Sequence, residues 1–115
     1  MEEAEYEALA FPELKRLVNA LDTIEDDRLE CELSGDILTL CFDDDAEYVI
    51  NSHRAARQIW MAAERTAWHF DWTGEAWVAA KSGDELWSTV ERVLQNKLGG
   101  SLSLNRPPYS RGGLV

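Results

Sequence analysis

Between Leu29 and Ala80 the chain abandons helical spacing for strict alternation, in runs separated by connections of only a few residues. Leu29, Cys31 and Leu33 alternate with Arg28, Glu30 and Glu32, and after Gly35-Asp36 the apolar residues Leu38, Leu40 and Phe42 repeat the pattern. Period-two alternation buries one face of a strand and leaves the other in water. Connections this short can join only antiparallel neighbours, because a parallel crossover needs about a dozen residues or more. The centre of the chain therefore builds an antiparallel sheet of hairpins with one buried face.

Four further strands are predicted. Ala46–Asn51, carrying Tyr48, Val49 and Ile50, follows a turn at Asp43-Asp44-Asp45, and Ser52–Ala56 is expected to be a loop. Arg57–Ala63, Trp68–Trp72 and Ala76–Ala80 complete the set, the last two joined by Thr73-Gly74-Glu75. Helical spacing flanks the sheet on both sides. From Glu5 to about Glu25, Leu14, Leu17, Val18 and Leu21 line one face, with Pro12 either opening the helix near Phe11 or bending a longer one, the preferred reading. Ser82-Gly83-Asp84-Glu85 has the form of a capping box, ahead of a helix burying Leu86, Val90, Val93, Leu94 and Leu98 and ended by Gly99-Gly100. Two helices can cover only one face of such a sheet, so the fold class is α+β: a two-layer sandwich with six antiparallel strands. One domain over residues 1–100 is expected, with 101–115 as a tail from which Leu102, Leu104 and Tyr109 are candidates to pack between the helix ends.

The charge is one-sided, with 22 acidic against 11 basic residues and a net charge of −11. Such a chain repels nucleic acid, whose binding relies on cationic side chains, and attracts cations and basic protein surfaces. A hydrophobic content of 45% supports a core despite that charge, which separates the chain from disordered acidic segments. No apolar run approaches the roughly 20 residues of a membrane span, and the opening residues are acidic where a targeting segment would be basic, so a soluble intracellular protein is expected. If Ser34 pairs with Ile37, Cys31 faces Leu40 and Cys41 faces Glu30, so the two sulfurs point to opposite faces of the sheet. Free thiols are expected, as in a reducing compartment.

The candidate metal surface is carboxylate: Asp22, Glu25, Asp26 and Asp27 at the end of the first helix, with Glu30 and Glu32 outward on the first strand. Hard cations take such oxygens, and acids at a helix C-terminus oppose its dipole, yet the spacing defines no closed cage. Weak, hydrated binding is expected, against the alternative of an ordinary acidic surface. Asp43-Asp44-Asp45 lacks the spacing of a calcium loop and reads as a solvated turn. Alternation places Trp60 on the solvated face, where it is either an interface anchor or folded against its neighbours. His69 shares that face, while His53 and His69 show no common spacing and read as surface residues rather than a fixed metal pair. No base lies near either cysteine in sequence, so nucleophilic catalysis is unsupported.

The middle of the chain carries a more specific signal. Tyr48-Val49-Ile50-Asn51 precedes Arg57-Gln58-Ile59-Trp60, and Trp68-His69-Phe70-Asp71-Trp72-Thr73-Gly74-Glu75 leads to Trp77-Val78. With Cys31-Glu32-Leu33-Ser34-Gly35, Leu38-Thr39-Leu40 and Ser82-Gly83, this series over residues 5 to 100 resembles the frataxin family, including its bacterial CyaY-type members. Ala55 stands where many relatives carry proline, and His53 where they carry glutamine. The resemblance implies the sandwich already inferred, weak surface binding of ferrous and ferric iron, and a role in iron–sulfur cluster assembly. Its implied partners are a cysteine desulfurase, which would meet the acidic surface, and a scaffold protein, which would meet Asn51, Gln58, Trp60 and His69. It also implies a monomer or iron-dependent oligomers, located in bacterial cytoplasm or, for a processed eukaryotic form, the mitochondrial matrix. Some members are credited with ferroxidase or iron-storage activity, a lesser reading for this chain, as is an acidic interaction module without physiological iron.

Overall fold

The computed structural model describes residues 1–100 and 102–104. Helix α1 (Glu3–Leu21) is followed by β1 (Leu29–Ser34), β2 (Ile37–Phe42), β3 (Glu47–His53), β4 (Gln58–Ala63), β5 (Thr66–Trp72), β6 (Trp77–Ala79) and helix α2 (Leu86–Leu98). The strands form one sheet in chain order, each antiparallel to its neighbours. The first hairpin has the expected register, Ser34 facing Ile37, Cys31 facing Leu40 and Cys41 facing Glu30.

Inward residues of every strand meet the two helices on one face. Leu38, Leu40, Ile50, Ile59 and Phe70 from the sheet, Tyr6, Leu14 and Leu17 from α1, and Leu86, Val90 and Leu94 from α2 are fully buried. Each such aliphatic side chain contributes about 1.5–3 kcal/mol by leaving water. Leu104 joins this core, its N–H donating to Glu91 Oε2 at 2.8 Å, while Gln95 Nε2 donates to the Leu102 carbonyl at 2.7 Å. Tyr109 lies outside the described residues. No helix among the described residues is long and apolar enough to cross a membrane.

Several boundaries differ from expectation for identifiable reasons. Helix α1 runs through Pro12 and ends at Leu21 rather than Glu25, because Thr23 Oγ1 and Ile24 N–H turn back onto the carbonyls of Ala20 and Leu21. Strand β3 continues to His53 because the turn at Arg54–Arg57 is tight enough to set His53 opposite Gln58, with Arg57 at φ 55°. Strand β5 starts at Thr66, since Glu64 and Arg65 both take positive φ, 54° and 73°, in a two-residue hairpin turn. The expected cap at Ser82 gives way to Glu85, whose carboxylate accepts from the N–H groups of Trp87 and Ser88 at 3.0 and 3.1 Å. Ser82 is engaged earlier, accepting from Asp84 N–H within the turn that Gly83 makes at φ 78°.

Candidate functional site

The acidic residues gather at the β1 edge of the sheet. Asp22 caps the C-terminus of α1, whose last turn holds no basic residue, so its carboxylate adds to the negative end of the helix dipole. Glu25 and Asp27 are exposed in the connection, and Glu30 and Glu32 point outward from β1. An open cleft along this edge brings Asp22 together with Glu30 and Glu32. Asp26 is differently placed. Arg28 grips it with Nε at 3.0 Å and Nη2 at 2.8 Å, and that guanidinium holds the carboxyl at about 2. The same Arg28 donates to the Leu98 carbonyl at 3.0 Å, tying the connection to the end of α2. Among the described residues no group of three His, Cys, Asp or Glu side chains converges closely enough to hold a metal ion. These carboxylates can therefore attract a hard cation that keeps most of its water.

Asp43, Asp44 and Asp45 form an exposed turn, in which Asp44 pairs with Lys97 of α2. Both cysteines are free. Burial pushes the Cys31 thiol up to about 12. Cys41, on the outer face between Glu30 and Glu47 of the adjoining strands, is also raised, by burial and then by Glu47, Glu30 and Glu32.

A second constellation lies across β3, β4 and β5. Asn51 sits opposite Trp60, and Trp60 opposite His69, so three neighbouring strands set these side chains in one row of the outer face. Trp60 points outward as expected but does not stand free. Its indole is stacked between the imidazoles of His53 and His69, with ring centroids 3.7 and 4.2 Å away. Its Nε1 donates to Gln58 Oε1 at 2.8 Å, and Gln58 Nε2 donates to Asp71 Oδ1 at 3.0 Å. Val49, Ala62 and Ala67 floor a shallow apolar hollow beside it. Sequence reasoning missed His53 and Asp71 as members of this group. The signal for His53 is the alternation itself, which continues from Asn51 through Ser52 to His53.

The sequence matches the frataxin-like domain family over residues 1–100. The fold is similar to that of frataxin from Psychromonas ingrahamii, with a TM-score of 0.80 over 89% of this chain and 96% of that chain, at 20% identity. Yeast frataxin is 26% identical, with a TM-score of 0.62 over 81% of this chain and 83% of that one. The trimeric frataxin of Saccharomyces cerevisiae complexed with ferrous iron is 28% identical, with a TM-score of 0.55 over 87% of this chain and 88% of that one. Two helices on one face of a six-stranded antiparallel sheet, with a family match that spans every strand and both helices, give one conclusion: this chain belongs to the frataxin-like family.

Proposed function

We propose that this protein is an iron-binding regulator or iron donor of iron–sulfur cluster assembly, acting while docked on a cysteine desulfurase and its scaffold protein. The observation that carries the reading is the division of the outer sheet face. Its β1 end presents Glu30 and Glu32 beside Asp22, whereas its β3–β5 end presents the amide and aromatic row of Asn51, Gln58, Trp60 and His69. The carboxylate end attracts ferrous or ferric iron at about micromolar affinity or weaker, and steers a basic desulfurase surface towards it. The aromatic end anchors the scaffold, as a rigid indole does at many interfaces. Family membership and the ferrous complex of the yeast relative support the iron part, and the trimeric yeast structures support association of copies.

A second reading, an acidic interaction module for which iron is not the physiological ligand, is favoured by the lack of convergent ligands among the described residues. Reconstituted cluster assembly with desulfurase and scaffold distinguishes the two. Adding the protein should change the rate of cluster formation in an iron-dependent way. A variant with Asp22→Asn, Glu25→Gln, Asp27→Asn, Glu30→Gln and Glu32→Gln should bind iron less and lose that dependence. A rate effect indifferent to iron would favour the interaction module, and no rate effect at any iron concentration would sink the regulatory reading.

A further inference from the structure

The row on the outer face contains a contact that docking alone does not require. The imidazoles of His53 and His69 lie on opposite faces of the Trp60 indole, each only 14° from parallel. Three strands thus contribute one ring each to a single stack. Among the described residues His53 Nδ1 is enclosed without a hydrogen-bond partner, so the indole is the contact that orients this imidazole. The indole is restrained in turn, because its Nε1 is bonded to Gln58 and Gln58 to Asp71. A ring covered on both faces and held at its N–H meets a partner with its outer edge, in one fixed pose. Such preorganisation removes part of the ordering cost of binding.

We propose that His53 is a positioning residue which, with His69, clamps Trp60 in its docking pose. The inference rests on the docking role given to Trp60 above.

Titration with the scaffold protein supplies the test. His53→Ala should weaken binding about two- to tenfold, the range of one aromatic contact, with a melting temperature near that of wild type. His53→Phe keeps a flat ring on the indole, so it should retain affinity. If Trp60→Ala weakens binding but His53→Ala does not, the positioning role is overturned; if Trp60→Ala has no effect, the docking reading beneath it fails instead.

Discussion

Replacing Glu13 should destabilise the protein in a graded way that the structure fixes in advance. Glu13 lies on the inner face of α1 at 0% exposure, where its Oε1 accepts from Arg16 Nη2 at 2.7 Å and its Oε2 accepts from the Trp87 indole N–H of α2. One carboxylate thereby joins the two helices across the core. Glu13→Gln keeps an oxygen that can accept from Trp87 but removes the charge facing Arg16. The Arg16 side chain is 30% exposed, so water can reach its charge, and the loss should be only about 1 kcal/mol. Glu13→Leu removes both acceptors at similar volume. The indole N–H then loses a buried acceptor, worth about 1–3 kcal/mol, and the Arg16 term is added, against a smaller gain from the apolar side chain. The expected total is about 2–3 kcal/mol, below the roughly 3–5 kcal/mol of a fully enclosed pair left with one charge. Urea unfolding with an unchanged slope measures both, and combining Glu13→Leu with Trp87→Phe in a double-mutant cycle isolates the link between helices. A Glu13→Leu protein as stable as wild type, or a Glu13→Gln protein less stable than Glu13→Leu, would refute the reasoning.

Trp60→Ala should lower stability by only about 1–2 kcal/mol, since the indole is half-buried on the outer face, yet weaken scaffold binding by about 2 kcal/mol or more. Ile59→Ala, one residue away and fully buried, should do the reverse and cost about 2–5 kcal/mol of stability; the same outcome for both variants would contradict the face assignment. Alkylation of the native protein should modify Cys41 before Cys31, slowly in both cases because both thiols are raised, and an intramolecular disulfide recovered from unoxidised protein would contradict the hairpin register. Arg28 lowers Asp26 from 3.8 to about 2, so this pair stabilises the fold fully above about pH 4 and loses its contribution as the pH falls towards 2. The melting-temperature gap between wild type and Arg28→Gln should accordingly be largest at pH 7 and narrow near pH 2 to what the Arg28–Leu98 hydrogen bond contributes; a gap that is constant over this range would show that the Asp26 pair contributes nothing.

What can be read in the sequence follows from how local each signal is. The β1–β2 register is legible because Gly35-Asp36 fixes the turn and alternation fixes the faces, so Cys31 and Cys41 are oriented by residue order alone. Trp60 and His69 are set outward for the same reason. Their stacking with His53 is not legible, since it depends on how tightly Arg54–Arg57 closes and therefore on which residue faces Gln58. Glu13 shows the same limit in the helices. It stands in the stripe of Tyr6, Ala10 and Leu17, a visible anomaly, but its partner Trp87 is 74 residues away. At Ser82-Gly83-Asp84-Glu85 both ends of the motif can cap a helix, and the turn at Gly83 decides for Glu85 by drawing Ser82 to Asp84. Within the acidic cluster, all the carboxylates look alike as residue types. Only the folded connection separates Asp26, gripped by Arg28, from Asp22, Glu30 and Glu32, which share a cleft.

The row Glu30, Cys41, Glu47 across three strands also bears on oxidative chemistry. Sulfenic acid forms from the thiolate, and the Cys41 thiol is kept protonated by burial and by the three glutamates around it. An outer-face thiol that ionised readily would be an early casualty of peroxide. The surrounding carboxylates passivate the thiol, so Cys41 should survive as a reduced side chain where a cysteine beside a basic residue would climb the oxidation ladder.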